Sequence, residues 1–154
     1  MSLRNVLARI TGRRGRDGGG GRSGLGGDLA DVRIAYTPDH DGQPDPGEVV
    51  WTWVPYEEDD RQGKDRPVVV IGSAGPRLAV VPVTSRSPVG RTDPKAWVAI
   101  GSGRWDGQGR PSYANVDRVL RVAPADVRRE GATLARAHFD DVIAALHRRH
   151  PTQR

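Results

Sequence analysis

The chain has 154 residues, 36% of them hydrophobic, a formal net charge of +5 and no cysteine. That length supplies one core of ordinary domain size and little for a second, and the missing cysteines exclude disulfides, thiolate zinc sites and a cysteine nucleophile. No apolar run approaches the roughly 18 to 20 residues that cross a bilayer, and the N-terminus has no secretory apolar stretch, so a cytoplasmic protein without a membrane partner is expected.

The charge is unevenly placed. Residues 1–27 hold six arginines against one aspartate, which accounts for the whole surplus. Nine of the sixteen residues 12–27 are glycine, a composition with maximal ordering entropy and nothing to bury, so 1–30 is expected to be a disordered basic tail ahead of a folded domain at 31–150. Within that domain, residues 28–65 carry three basic and eleven acidic side chains, whereas 66–154 carry fifteen and seven. The second half is therefore the expected polyanion surface.

Taken along the chain, "DVRIAYTP" reads as a short edge strand and "DHDGQPDPGE" as a turn-forming connection. Segments 48–54, 66–72 and 77–85 are short, β-branched and bounded by breakers, which predicts three strands. Segments 96–100 and 113–122 predict two more, and five strands in so short a span point to a small, strongly bent antiparallel sheet or barrel. The period then changes: Phe139, Val142, Ile143 and Leu146 fall at i, i+3, i+4 and i+7, predicting a C-terminal helix that covers the sheet. The fold class is mainly β, α+β. His147 and His150 at the helix end read as solvated, without a carboxylate partner to complete a metal site, and no metal or other cofactor is expected.

One stretch is anomalous. In "RQGKDRPVVVIG", Arg61, Gln62, Lys64, Asp65 and Arg66 crowd the mouth of an otherwise buried strand. Arg66 precedes Pro67, which restricts it to extended backbone and aims it from the strand start. Taken alone, it is as compatible with a surface pair to Asp65 as with a polyanion site.

The blocks "GEVVWTWVPYEEDDRQGKDRPVVVIG", "VVPVTS" and "SYANVDRVLRV", followed by a terminal helix, resemble the MazF/PemK toxins of bacterial toxin–antitoxin pairs over about residues 46–147. The resemblance implies an SH3-like barrel with an appended helix, usually a homodimer. It implies metal-independent cleavage of single-stranded RNA at short sequence motifs, and silencing by a cognate antitoxin. The family's catalytic arginine falls on Arg66 and its partner threonine on Thr84. Those types suit the chemistry: a guanidinium forks onto a phosphate at any working pH, and a hydroxyl donates to a phosphoryl oxygen.

Asp117, kept from the family pattern, reads either as a general base near Arg66 or as a structural acid orienting Arg66 or Arg121. Gln62, Lys64, Ser85, Arg86 and Arg91 are the expected RNA contacts. Trp105 joins them as a candidate for base contact or antitoxin docking, because the glycine-rich "GSGRWDGQGRPS" cannot bury an indole by itself. Trp51 and Trp53, sharing one strand face, read as core or dimer-interface filler. Three positions depart from the pattern: Arg61 replaces a glutamate, leaving Glu58 or Asp60 as the carboxylate at hand; Asn115 replaces an arginine; and Pro46 replaces a basic residue. The alternative function is a non-catalytic nucleic-acid- or protein-binding module on the same fold, such as a degenerate or gyrase-directed toxin.

Overall fold

The structure, a computed structural model, describes residues 29–39 and 43–151, with 129 and 130 as backbone only; most of the Arg/Gly-rich segment 1–30 lies outside the described residues. The elements are β1 (Arg33–Ile34), β2 (Glu48–Pro55), β3 (Gly63–Ala74), β4 (Arg77–Thr84), β5 (Trp97–Gly101), β6 (Ser112–Asn115), β7 (Leu120–Val122), β8 (Arg129–Thr133) and α1 (Arg136–Arg149). All pairings are antiparallel, in the order β5-β6-β4-β3-β2-β8, with β1 added to β3 and β7 to β4. The result is a curled half-barrel with one C-terminal helix.

The strand alternation builds two cores. On one face Val49, Val69, Ile71, Val81, Val83, Ile100 and Ala114 pack with Phe139, Val142 and Leu146 of α1. On the other, Val50, Val54, Val68, Val70, Leu78 and Val80 form a second cluster, flanked by Leu120, Val122 and Val127. A period of two supplies the members of both sets that β2, β3 and β4 contribute. Register slips at Val70/Gly72, Val49/Trp51 and Ala99/Gly101 bend the strands and allow the sheet to curl. The β3–β4 hairpin closes on Gly75-Pro76, where Gly75 takes φ 63°, a conformation that a side chain would strain.

Three expectations change. The strand expected over 113–122 breaks into β6 and β7, because the Asn115 Oδ1 accepts from the Asp117 N–H at 3.0 Å and the Asn115 carbonyl accepts from the Arg118 N–H at 3.3 Å. β8, "REGAT", has little β-propensity and forms because β2 offers it an edge. The end of α1 is not solvated throughout: His150 is buried, its Nε2 lies 2.7 Å from the Val116 carbonyl, and its N–H donates to the Leu146 carbonyl.

Candidate active site

The β2–β3 hairpin sets the geometry of one end of the sheet. Thr52 pairs with Arg66, Trp53 with Asp65, Val54 with Lys64 and Pro55 with Gly63, so the charged residues before the apolar run belong to the strand itself. The pleat places Arg66 on the face of Val68 and Val70. It places Thr84 on that of Val80 and Pro82, and Val68 pairs with Pro82. Arg66 and Thr84 therefore stand two positions beyond the last β3–β4 pair, at neighbouring strand ends and on the same face. Both line a cleft of about 920 Å³.

The other walls come from far along the sequence. Lys64, Ser85, Arg86, Arg91, Arg104, Trp105 and Arg118 line the same cleft, with Tyr56, Glu57 and Glu58 at the acidic β2–β3 turn. The Arg66 side chain has no hydrogen bond or ion pair with a described residue. Asp65, its obvious partner in sequence, is instead 3.4 Å from Arg128. The Thr84 Oγ1 accepts from the Arg86 N–H at 3.1 Å, which leaves its own hydrogen free to donate. The Arg91 guanidinium stacks 4.3 Å from the Trp97 ring centre, and its Nε is buried without a described partner. That stack holds a flat cation ready for a base or phosphate.

Two expected residues lie elsewhere. Gln62 is exposed and turns away, its Nε2 donating to Asp59 Oδ2 at 3.4 Å. Asp117 faces neither Arg66 nor Arg121. Both its oxygens accept from Arg149, at 2.7 and 2.9 Å, and it lines an adjoining hollow of about 380 Å³ that shares Glu57, Arg91, Trp97 and Asn115 with the cleft. Arg121 pairs with Asp31 instead. Arg149 also donates to Asp93, so one guanidinium clips the end of α1 to the 115–118 turn and to the approach of β5. Its hydrogen bond to Asp93 holds that carboxyl below the usual aspartate range. The clip accordingly adds stability above that range and loses it as pH falls through the lowered pKa.

The tryptophans are also rearranged. Trp105 is only 6% exposed, its Nε1 donating to Ser112 Oγ at 3.0 Å while its carbonyl accepts from Trp51 Nε1 at 3.0 Å. The glycine-rich loop does bury an indole, because Gly103 lies flat against the ring: a Cβ there would come within 2.1 Å of it. Trp105 forms cleft floor rather than an exposed platform. Trp51 and Trp53 run past the end of the core; Trp51 lines the cleft and Trp53 is 42% exposed.

Residues 45–149 match the family of PemK-like, MazF-like toxins of type II toxin–antitoxin systems. The chain belongs to that family. No curated protein matches it. Among solved structures it is similar to MazF (form I) of Deinococcus radiodurans, with a TM-score of 0.53 and 22% identity, covering 70% of this chain and 96% of that one. It is also similar to the MazE–MazF complex (form II) of the same organism (0.51, 20%, 73% and 100%). A third likeness is to an endoribonuclease in complex with its cognate antitoxin from a Mycobacterial species (0.50, 17%, 68% and 92%). At these identities the likeness establishes the fold.

Within this PemK/MazF chain, Arg118 falls inside the strand expected over 113–122 and is not legible as a cleft residue from the sequence. The Asn115 turn swings it to the cleft, where its Nη2 donates to the Pro55 carbonyl at 2.9 Å. "NVD" was the available signal, an Asx-turn sequence inside an apparent strand. Among the described residues, no three His, Cys, Asp or Glu side chains gather as a metal site, and no helix is long and apolar enough to cross a membrane.

Proposed function

We propose that the protein is an endoribonuclease toxin that cleaves single-stranded RNA at selected sequences, without a metal, and is silenced by a cognate antitoxin laid over the cleft. The observation that carries this reading is the shared cleft of Arg66 and Thr84, with Arg66 lacking a described counter-ion. Family membership supports it, as do the complexes in which similar proteins hold their antitoxins.

The chemistry follows from the side chains. The ribose 2′-hydroxyl attacks the adjacent phosphorus and the 5′-oxygen leaves, taking a proton from water, which gives a 2′,3′-cyclic phosphate and a 5′-hydroxyl. Arg66 forks onto the non-bridging oxygens as their charge grows. Thr84, its lone pair already engaged by the Arg86 N–H, donates its hydrogen to the same phosphoryl group. Of the two carboxylates at hand near the replaced glutamate, Glu58 lines the cleft with Glu57, whereas Asp60 is not among the lining residues. Glu58 is accordingly assigned as acceptor of the 2′-hydroxyl proton. Lys64, Ser85, Arg86 and Arg91 hold the flanking strand, and Trp105 supports it from below. Asp117 is assigned to the Arg149 clip rather than to proton transfer.

Purified protein incubated with a long single-stranded RNA in EDTA should generate 2′,3′-cyclic phosphate ends. A 2′-deoxy substitution at the cut should block the reaction; intact RNA that stays bound to the protein would instead support a binding module. Thr84→Ala should cleave about tenfold more slowly, the equivalent of one hydrogen bond of about 1.4 kcal/mol, and Thr84→Ser should recover most of that rate. Asp117→Asn separates the clip from a catalytic base. Its cleavage should stay within a fewfold of wild type while its melting midpoint falls slightly, the fall shrinking at high salt. A large rate loss at an unchanged midpoint would return Asp117 to the chemistry.

A further inference from the structure

We propose that Arg118 is a second cation for the scissile phosphate, forming with Arg66 a two-guanidinium clamp, and that Glu57 is the counter-ion it surrenders when RNA enters. The proposal rests on the endoribonuclease reading.

Arg118 is held in place. Its side chain is only 18% exposed, and the Nη2 contact to the Pro55 carbonyl fixes the guanidinium at the start of the β2–β3 turn. Among the described residues it has no firm anion. Its Nε stands 3.7 Å from Glu57 Oε2, too far for a hydrogen bond, and Glu57 is itself 63% exposed and screened by solvent. Arg66 lines the same cleft and has no described anion at all.

Two permanent cations thus line one cleft, with Glu57 and Glu58 as the carboxylates beside them. Burial first, and the Arg66 charge further, lower the Arg118 pKa against the opposing pull of Glu57 and Glu58. Such an arrangement is unfavourable in the free protein and favourable once an anion bridges both forks. A phosphodiester has two non-bridging oxygens, each able to accept more than one hydrogen bond, so it can engage both guanidinium groups.

The other cationic side chains of the cleft are placed differently. Arg110 donates to Asp106, Arg91 lies on Trp97, and Lys64, Arg86 and Arg104 are exposed, positions suited to flanking phosphates. Arg118 is mostly buried and feels the charge of Arg66. It also supplies, from a turn three residues on, the positive charge that Asn115 no longer provides.

The test uses the full chain in two assays. In the first, cleavage of a long single-stranded RNA is compared for wild type, Arg118→Gln and Arg118→Lys. In the second, a random-sequence 2′-O-methyl RNA, which cannot be cut, is titrated at several salt concentrations. Arg118→Gln should cleave at least tenfold more slowly, and its salt dependence should be shallower by about 0.7 in log K against log salt, the loss of one single-strand phosphate contact. Arg118→Lys should keep the slope, because it keeps the charge, but not the rate, because it loses the fork. Glu57→Gln should tighten binding of the same RNA.

Circular dichroism and a melting curve identify any variant that fails to fold, and Arg118→Lys carries the comparison in that case. An unchanged slope and rate in folded Arg118→Gln would overturn the clamp, whatever wild type does. A wild type that binds but never cuts, with the expected slope change in Arg118→Gln, would overturn the nuclease reading and uphold Arg118 as a phosphate ligand.

Discussion

Arg66→Ala is expected to fold like wild type and to cleave single-stranded RNA more slowly by a hundredfold or more. The rate loss follows from where negative charge grows in the reaction. Removing one preorganised donor from a developing oxyanion generally lowers rates by about 10²- to 10³-fold, and Arg66 supplies a bidentate, permanently charged one. The folding expectation follows from the absence of any described hydrogen bond or ion pair to its side chain. Arg66 also repels Arg118, so its removal leaves the melting midpoint level or raises it. Initial rates on a fixed RNA, with a denaturation curve for each protein, measure both quantities. A variant that cuts as fast as wild type would refute the proposed activity, and one that merely unfolds would refute the placement of Arg66 outside the structural core.

Gly103→Ala should have the second largest effect, on stability rather than directly on chemistry. The added Cβ would lie 2.1 Å from the Trp105 ring, which is buried in the helix-side core and bonded to Ser112. The indole must shift, and overpacking of this kind costs about 1 to 3 kcal/mol. Because Trp105 also accepts from Trp51 through its carbonyl, the cleft floor should move with it and RNA binding should weaken. Gly107→Ala is the matched control. A Cβ there meets nothing within 4 Å, so its stability should remain within about 0.5 kcal/mol of wild type. Denaturant titration of the three proteins, followed by tryptophan fluorescence, checks the pair. Equal midpoints for Gly103→Ala and Gly107→Ala would show that the loop does not depend on that contact.

The two predictions differ in how far the sequence could reach them. Arg66 stood out from local chemistry and from the family blocks around it, because a charged residue before Pro67 and an apolar run is conspicuous along the chain. Gly103 did not. Its neighbours offered only a glycine-rich loop, and whether such a loop holds its indole depends on Ser112, Trp51 and the core beneath, up to 54 residues away in sequence.

Local pattern determined the strands at 48–54, 66–72 and 77–85 and the apolar stripe of the terminal helix, since alternation and the 3.6 period are properties of neighbouring residues. β8 was illegible because a strand of poor propensity forms only when another edge is already there to pair with it. The partner of Asp117 was illegible for a similar reason, because Arg149 reaches it only after α1 has packed across the sheet. Arg118 was hidden by the turn that breaks an apparently continuous strand. The sequence by itself thus determined which charged residues gather at the strand mouth, through types and spacings that act over a few positions. Only the tertiary structure decided which charges face one another, because electrostatic partnership depends on distance through space, and the curl of the sheet sets those distances.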